Sequence, residues 1–153
     1  MNPDISKKRI LVFVVAYNAE RTIGSVLHRI PPALRGGNVE VLVIDDSSKD
    51  DTFAAGLAHE SAIDGLKITI LRTPLNQGYG GNQKLGYRYA IDNGFDYVAL
   101  VHGDGQYAPE KLPDLLVPLV RGEAGAVFGS RMMESGGALR GGMPLYKYVG
   151  NKI

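Results

Sequence analysis

Cysteine is absent from this 153-residue chain, which rules out disulfide staples and thiolate metal sites. An excess of charge of either sign is missing too: 17 Lys and Arg stand against 16 Asp and Glu, a formal net charge of +1. Without a strong basic field the chain lacks the electrostatic footprint of a nucleic-acid binder. No apolar run approaches the roughly 20 residues that a membrane-spanning helix needs. The basic residues Lys7, Lys8 and Arg9 ahead of Ile10–Ala16 superficially look like a secretory leader. The apolar stretch is short, however, and Tyr17-Asn18-Ala19-Glu20 follows at once, so a buried strand is the better reading. Internal repeats and low-complexity tracts are also missing. What remains is ordinary globular composition, 44% hydrophobic, in a chain long enough for one domain with a real core.

Apolar runs alternate with helical patterns. The expected strands are Ile10–Ala16, Val39–Ile44, Leu66–Leu71, Tyr97–Val101 and Gly125–Gly129. Most are apolar throughout, as parallel strands covered on both faces should be. Helices are expected at about Glu20–Ile30, Asp50–Ser61, Gly80–Asn93 and Pro109–Val120. Ile23, Val26, Leu27 and Ile30 repeat with the helical period, as do Leu112, Leu115, Leu116 and Leu119, and Pro109 suits a first turn. The series predicts an α/β fold with an open, mostly parallel sheet and helices on both faces. Such sheets bind ligands beyond the carboxyl ends of their strands. Glycines crowd the stretch from Arg121 to Gly142, which reads as a mobile loop leading to Pro144–Ile153.

A polar cluster follows each expected strand. After the first come Tyr17, whose ring can pack on a nucleoside, and Glu20, which can accept from ribose hydroxyls; alternatively, Asn18 caps the next helix and Glu20 sits in its first turn. After the second come Asp45 and Asp46. Ser48 with Asp51 resembles a capping arrangement, but capping does not explain Asp45-Asp46 directly after Val41-Leu42-Val43-Ile44. A carboxylate there can accept two donors from a base edge, which would select uracil or guanine. After the third, the glycines of Asn76-Gln77-Gly78-Tyr79-Gly80-Gly81-Asn82 let backbone N–H groups approach a ligand at a helix start. No Gly-Lys-Ser/Thr follows, so this is not a Walker A loop.

The fourth strand leads into His102-Gly103-Asp104-Gly105-Gln106-Tyr107-Ala108-Pro109-Glu110. In extended chain, Asp104 and Gln106 point the same way, two oxygen ligands with glycines that leave room for a diphosphate. Mg²⁺ binds through one or two carboxylates plus substrate phosphates. His102 is open to three roles: a ligand, a donor behind a ligand, or a phosphate contact. Imidazole suits Mn²⁺ better than Mg²⁺. A polar turn ahead of Pro109 is the plainer alternative. After the fifth expected strand, Arg131 can clamp a phosphate with two hydrogen bonds or make a surface ion pair.

Taken in order, the segments VVAYNAE, VIDDSSKDDT, NQGYGGNQKLGY, HGDGQYAPE and FGSR resemble the family 2 glycosyltransferases of the GT-A fold. The likeness is strongest to the branch that resembles dolichyl- and polyprenyl-phosphate mannose synthases. It runs from Val14 to Arg131. It implies a Rossmann-like nucleotide-sugar-binding core over residues 1–131, with residues 132–153 opening an acceptor region, in a chain shorter than its family. By this resemblance Ala16, Tyr17, Glu20, Asp46 and Gly78 would hold the donor nucleotide. Asp104 and Gln106 would hold Mg²⁺ or Mn²⁺ on its diphosphate, with His102 beside them. Arg131 would face the acceptor phosphate, and PLYKYVGN would bring Lys147 to it. Two letters depart from the family: Ala16 where Pro is usual, and His102 where the first Asp of a DxD motif is usual, which removes one negative charge.

The implied reaction is inverting attack on the anomeric carbon of a GDP- or UDP-sugar, with a polyprenyl phosphate as acceptor. The implied location is the cytoplasm, at the cytoplasmic face of a membrane. A sugar hydroxyl acceptor would need a general base, whereas a lipid phosphate is already anionic. No carboxylate after Gln106 has motif support as that base. Two rivals stand beside this expectation. One is a non-catalytic nucleotide-binding or scaffold domain related to the transferases. The other is a phosphoacceptor receiver domain, disfavoured because its paired acids follow the first strand rather than the second.

Overall fold

A computed structural model describes residues 7–130, 137–140 and 144–151. Four strands form one parallel sheet: β1 Ile10–Ala16, β2 Val39–Asp45, β3 Lys67–Arg72 and β4 Tyr97–His102, in the order β3-β2-β1-β4. Every residue of β1 is buried, as a central strand covered on both faces must be. Its side chains alternate between two cores. Ile10, Val12, Val14 and Ala16 join the larger core, under α1 (Ile23–His28), α2 (Thr52–Leu57) and α4 (Leu112–Val120). Leu11, Phe13 and Val15 join a smaller one with Leu42, Ile44 and Ala90, under α3 (Gly78–Asp92).

The expected strands agree with β1 to β4 to within a residue at either end. The expected fifth strand does not form: residues 126–130 carry no strand pairing, and Phe128 is 87% exposed. Glycines at both ends of Gly125–Gly129 leave too few side chains to seat the segment on the sheet. The first, second and fourth helices begin two or three residues later than expected, and the third begins two residues earlier, at Gly78. The fourth opens as a 3₁₀ turn over Pro109–Lys111 before α4. The Ser48–Asp51 capping arrangement is absent, because α2 is capped without a side-chain hydrogen bond and the Ser48 hydroxyl is used elsewhere. Two short helices follow, α5 (Gly137–Arg140) within the glycine-rich stretch and α6 (Leu145–Gly150) after it.

Two glycines of α3 have opposite surroundings. A Cβ on Gly86 would lie only 2.1 Å from the Cε1 of Phe13, which is fully buried, whereas one on Gly80 would meet nothing within 4 Å. Gly86→Ala is therefore expected to destabilise the fold by about 1–3 kcal/mol through overpacking, more than the roughly 1 kcal/mol that helix propensity returns. Gly80→Ala should be neutral or gain up to about 1 kcal/mol. Urea unfolding of the two variants reads the contrast.

Candidate active site

After β1 the chain runs outward to β2 and β3, then returns across β1 to form β4. The crevice between β1 and β4 is thus the point where the strand order reverses, the usual ligand position in open α/β sheets. A cleft of about 410 Å³ opens there, of a size suited to a small organic ligand. It is lined by Val15, Ala16, Tyr17, Asp46, Asn76, Gly78, Tyr79, Asn82, His102, Gly103 and Asp104.

The two loops on the β1–β2 side are stitched together. Asn18 takes a left-handed turn (φ 50°) and does not cap α1. Its N–H donates to the Ser48 hydroxyl at 2.9 Å, and its Oδ1 accepts from the Lys49 N–H at 3.0 Å. The Ala19 N–H donates to Thr52 Oγ1 at 2.7 Å, and the Glu20 N–H to the Asp50 carboxylate at 3.2 Å. Asp45 is wholly buried, accepts from Ser48, and lies 3.4 Å from Arg72 Nε. Burial alone would raise the Asp50 carboxyl, but the donors from Thr52 and Glu20 outweigh it and hold its pKa below the ordinary value.

Asp46 is tied just as firmly. Its N–H donates to the Ala16 carbonyl at 2.9 Å, and its Oδ1 accepts from the Gln77 N–H at 2.8 Å and from Thr73 Oγ1 at 3.1 Å. The Asn76 amide donates to its main-chain oxygen at 2.9 Å. One carboxylate oxygen thus shapes the loop before α3, and the other takes no donor among the described residues.

On the β4 side, Gly103 lies so close to Val15 and Ala16 that a Cβ would sit 3.2 Å from the Ala16 Cβ and the Val15 oxygen. The chain then turns through Gly105 (φ +74°), and the Asp104 carboxylate accepts the Gln106 N–H at 3.0 Å. Asp104 and Gln106 are therefore not successive outward positions of an extended strand: Asp104 lines the cleft and Gln106 does not. The turn is held by the two residues that flank α1, Thr22 before it and Arg29 after it. Thr22 Oγ1 donates to the Gly103 carbonyl at 2.7 Å. Arg29 reaches the carbonyls of Gly105 and Tyr107, both at 3.2 Å, and the Glu110 carboxylate at 3.0 Å.

His102 stands between two rings, its centroid 5.1 Å from Tyr79 and 4.6 Å from Tyr107. Its Nε2 is 3.0 Å from the Tyr79 hydroxyl, which also accepts from Gln83 Nε2 at 2.9 Å. The imidazole tautomer sets which of Tyr79 and His102 donates in that bond. Burial, then the nearby phenols of Tyr107 and Tyr87, push the Tyr79 pKa up and keep the phenol protonated.

Among the described residues no three His, Asp or Glu side chains converge as a metal site. Asp104 offers one hard oxygen beyond the one that accepts Gln106, and His102 adjoins it in the cleft wall. That donor set fits a divalent cation whose remaining ligands are substrate phosphates and water, the habit of Mg²⁺ and Mn²⁺ sites.

Of the residues expected from the sequence, Ala16, Tyr17, Asp46, Gly78, His102 and Asp104 come together in the cleft, while Glu20 and Gln106 stay outside it. Lys147 is exposed on α6 and does not line the cleft, and Arg131 lies outside the described residues. Asn82, Thr22 and Arg29 were not expected. Asn82 lay unassigned within a glycine-rich segment. Thr22 and Arg29 act on backbone 81 and 76 residues away, which leaves no local signal.

The family model described as Glycosyl transferase family 2 matches residues 11–148. An undecaprenyl-phosphate mannosyltransferase from Micrococcus luteus is 32% identical over 84% of this chain and 50% of its own length. A UDP-N-acetylglucosamine–dolichyl-phosphate N-acetylglucosaminyltransferase from Methanococcus voltae is 28% identical over 96% of this chain and 61% of its own. The chain thus spans between half and two thirds of these curated relatives. Among solved structures, glucosyl-3-phosphoglycerate synthase from Mycobacterium tuberculosis, in complex with Mn²⁺, UDP-glucose and phosphoglyceric acid, superposes with a TM-score of 0.58 at 26% identity. That match covers 78% of this chain and 42% of the other.

The hydrogen bond from Arg29 is the first cause that holds the Glu110 carboxyl below its ordinary 4.5. A carboxylate depressed in the folded state adds stability that is present above its unfolded pKa and lost as pH falls through the folded one. Arg29→Met should therefore destabilise the protein most above pH 4.5, with a difference from the parent that narrows on acidification. Thermal unfolding across pH 3 to 7 checks this, and a difference that stays flat would dismiss the Glu110 contribution.

Proposed function

Because the chain belongs to glycosyl transferase family 2, we propose that it forms the donor-binding part of an inverting enzyme that moves a sugar from a GDP- or UDP-sugar to a polyprenyl phosphate. The observation that carries this reading is the cleft at the β1–β4 crevice. It has a half-satisfied carboxylate, Asp46, on one wall and Asp104 on the other. A nucleoside offers donors to the first, and a diphosphate needs a cation near the second. Tyr17, 48% exposed, gives a ring for the base, and Gly78 leaves the start of α3 open to close approach. Glu20, one turn beyond Tyr17, is assigned to the ribose.

In this reading the chain's residues position and stabilise. Tyr17 and Asp46 orient the nucleoside, and Asp104, with His102 and Gln106 near it, would hold Mg²⁺ or Mn²⁺. When bound, that cation supplies neutralisation of the charge that grows on the leaving diphosphate. The Tyr79 hydroxyl fixes the His102 ring, so that the wall facing the diphosphate does not reorganise as charge develops. An acceptor phosphate needs no base, which agrees with the lack, among the described residues, of a third carboxylate lining the cleft. Arg131 and Lys147 are assigned to that phosphate, as positioning charges. No helix among the described residues is long and apolar enough to cross a membrane. In this reading a lipid acceptor would bring the reaction to a membrane surface, at its cytoplasmic face.

Calorimetry with UDP-glucose and GDP-mannose, in Mn²⁺ and in chelator, tests the assignment. Binding should require the metal, and Asp104→Asn should weaken the metal-dependent part by about 10- to 100-fold, the scale seen even for groups that merely support a ligand. Metal-dependent binding untouched by Asp104→Asn would refute the metal assignment. Absence of all nucleotide binding at millimolar ligand would leave the scaffold reading.

A further inference from the structure

Three buried side-chain polar atoms lack a hydrogen-bond partner among the described residues: Asp45 Oδ2, His59 Nδ1 and Asn82 Oδ1. The first lies 3.4 Å from Arg72 Nε and is met by its charge. The second belongs to a ring set edge-on to His28, between α1 and the end of α2, away from the cleft. Only the third belongs to a residue that lines the cleft. Asn82 sits in the second turn of α3 and is 2% exposed. Its amide nitrogen donates to the Ile44 carbonyl at the end of β2, at 2.9 Å. A carbonyl can only accept, so this bond settles which way the amide faces, with nitrogen on Ile44 and oxygen away. A desolvated acceptor without a donor is rare and costly in a folded protein. The bond to Ile44 accounts for one half of the amide and leaves the other half unexplained.

The second acceptor in the same cleft is the oxygen of Asp46 that neither Gln77 nor Thr73 engages. Two unmatched acceptors call for a ligand that brings donors. A diphosphate carries acceptors only, and would be repelled by both. A nucleoside carries ribose O–H groups and, in uracil or guanine, base N–H groups. We infer that Asn82 determines nucleoside specificity, its Oδ1 accepting a hydrogen bond from one O–H or N–H of the donor nucleoside. This rests on the reading of the cleft as a donor-nucleotide site.

The experiment is a matrix of calorimetric titrations. Wild-type and Asn82→Ala chains are each titrated with UDP and GDP and with analogues that lack one donor: the 2′-deoxy and 3′-deoxy nucleotides, 3-methyl-UDP and 1-methyl-GDP. One deletion should weaken wild-type binding by about tenfold, the worth of a matched buried acceptor. In Asn82→Ala the same deletion should cost nothing further, because the partner is already gone. The identity of that analogue tells a ribose contact from a base contact. If every deletion costs both chains equally, Asn82 serves only the Ile44 carbonyl and the inference is overturned. A wild-type chain that binds every analogue as tightly as its parent overturns it as well, and needs no folded variant. A wild-type chain that binds neither UDP nor GDP removes the transferase reading itself, and this inference with it.

Discussion

Everything at the cleft depends on the register of β1 with its two neighbours. Ala16 pairs with Asp45 on one side, and Val15 with His102 on the other. Three strands therefore end at one level, and the first residues beyond them, Tyr17, Asp46 and Gly103, share a rim. Further hydrogen bonds lock that level: Asp46 N–H to the Ala16 carbonyl and Gly103 N–H to the Val15 carbonyl, at 2.9 and 2.8 Å. A one-residue slip of β1 would exchange its two side-chain faces between the cores, sending Phe13 towards α1 and Val12 towards α3. The fully buried strand thus sets the position of the polar rim, and hydrophobic burial supplies the precision that the chemistry uses.

The second organising feature is how the rim spends its hydrogen bonds. Asn18, Ser48, Asp45 and Arg72 bond or ion-pair with one another and close the β1–β2 side into a wall. Thr22 and Arg29 do the same for the turn after β4. Against this background of satisfied groups the exceptions stand out. One Asp46 oxygen, one Asp104 oxygen and Asn82 Oδ1 are left over in a single cleft. Half-satisfied groups of this kind suit a binding site, since their bonds to the protein already fix their orientation.

His102 gives the diphosphate wall its own character. In place of a carboxylate, it presents an imidazole wedged between Tyr79 and Tyr107 and bonded to the Tyr79 hydroxyl. An imidazole here brings less negative charge to Asp104 than a carboxylate would, and the neighbouring rings orient it. Within the proposed function, the chain's cation site then leans on the substrate's own phosphates for its charge balance.

Much of this architecture is legible in the linear chain. The apolar runs located β1 to β4 to within a residue; in β1, buried on both faces, the run is unbroken. Tyr17, Asp46 and Asp104 stood out as polar residues at several strand ends taken together, and Gly78 as part of a glycine-rich helix start. Ordered motifs identified the family. Other features were beyond local reading. Gly125–Gly129 has apolar residues enough to look like a strand, but pairing depends on a neighbour that the sequence does not name. The turn at Gly105, which separates Gln106 from Asp104, arises from contacts with Thr22 and Arg29 far along the chain. The orphaned oxygen of Asn82 exists only because the Ile44 carbonyl claims the other half of the amide. The sequence by itself determined the strands, their order of appearance and the family, since these follow from local periodicity and motif. Tertiary structure alone decided which polar groups are already satisfied and which remain for a ligand, because hydrogen-bond partners are brought together only by the folded chain.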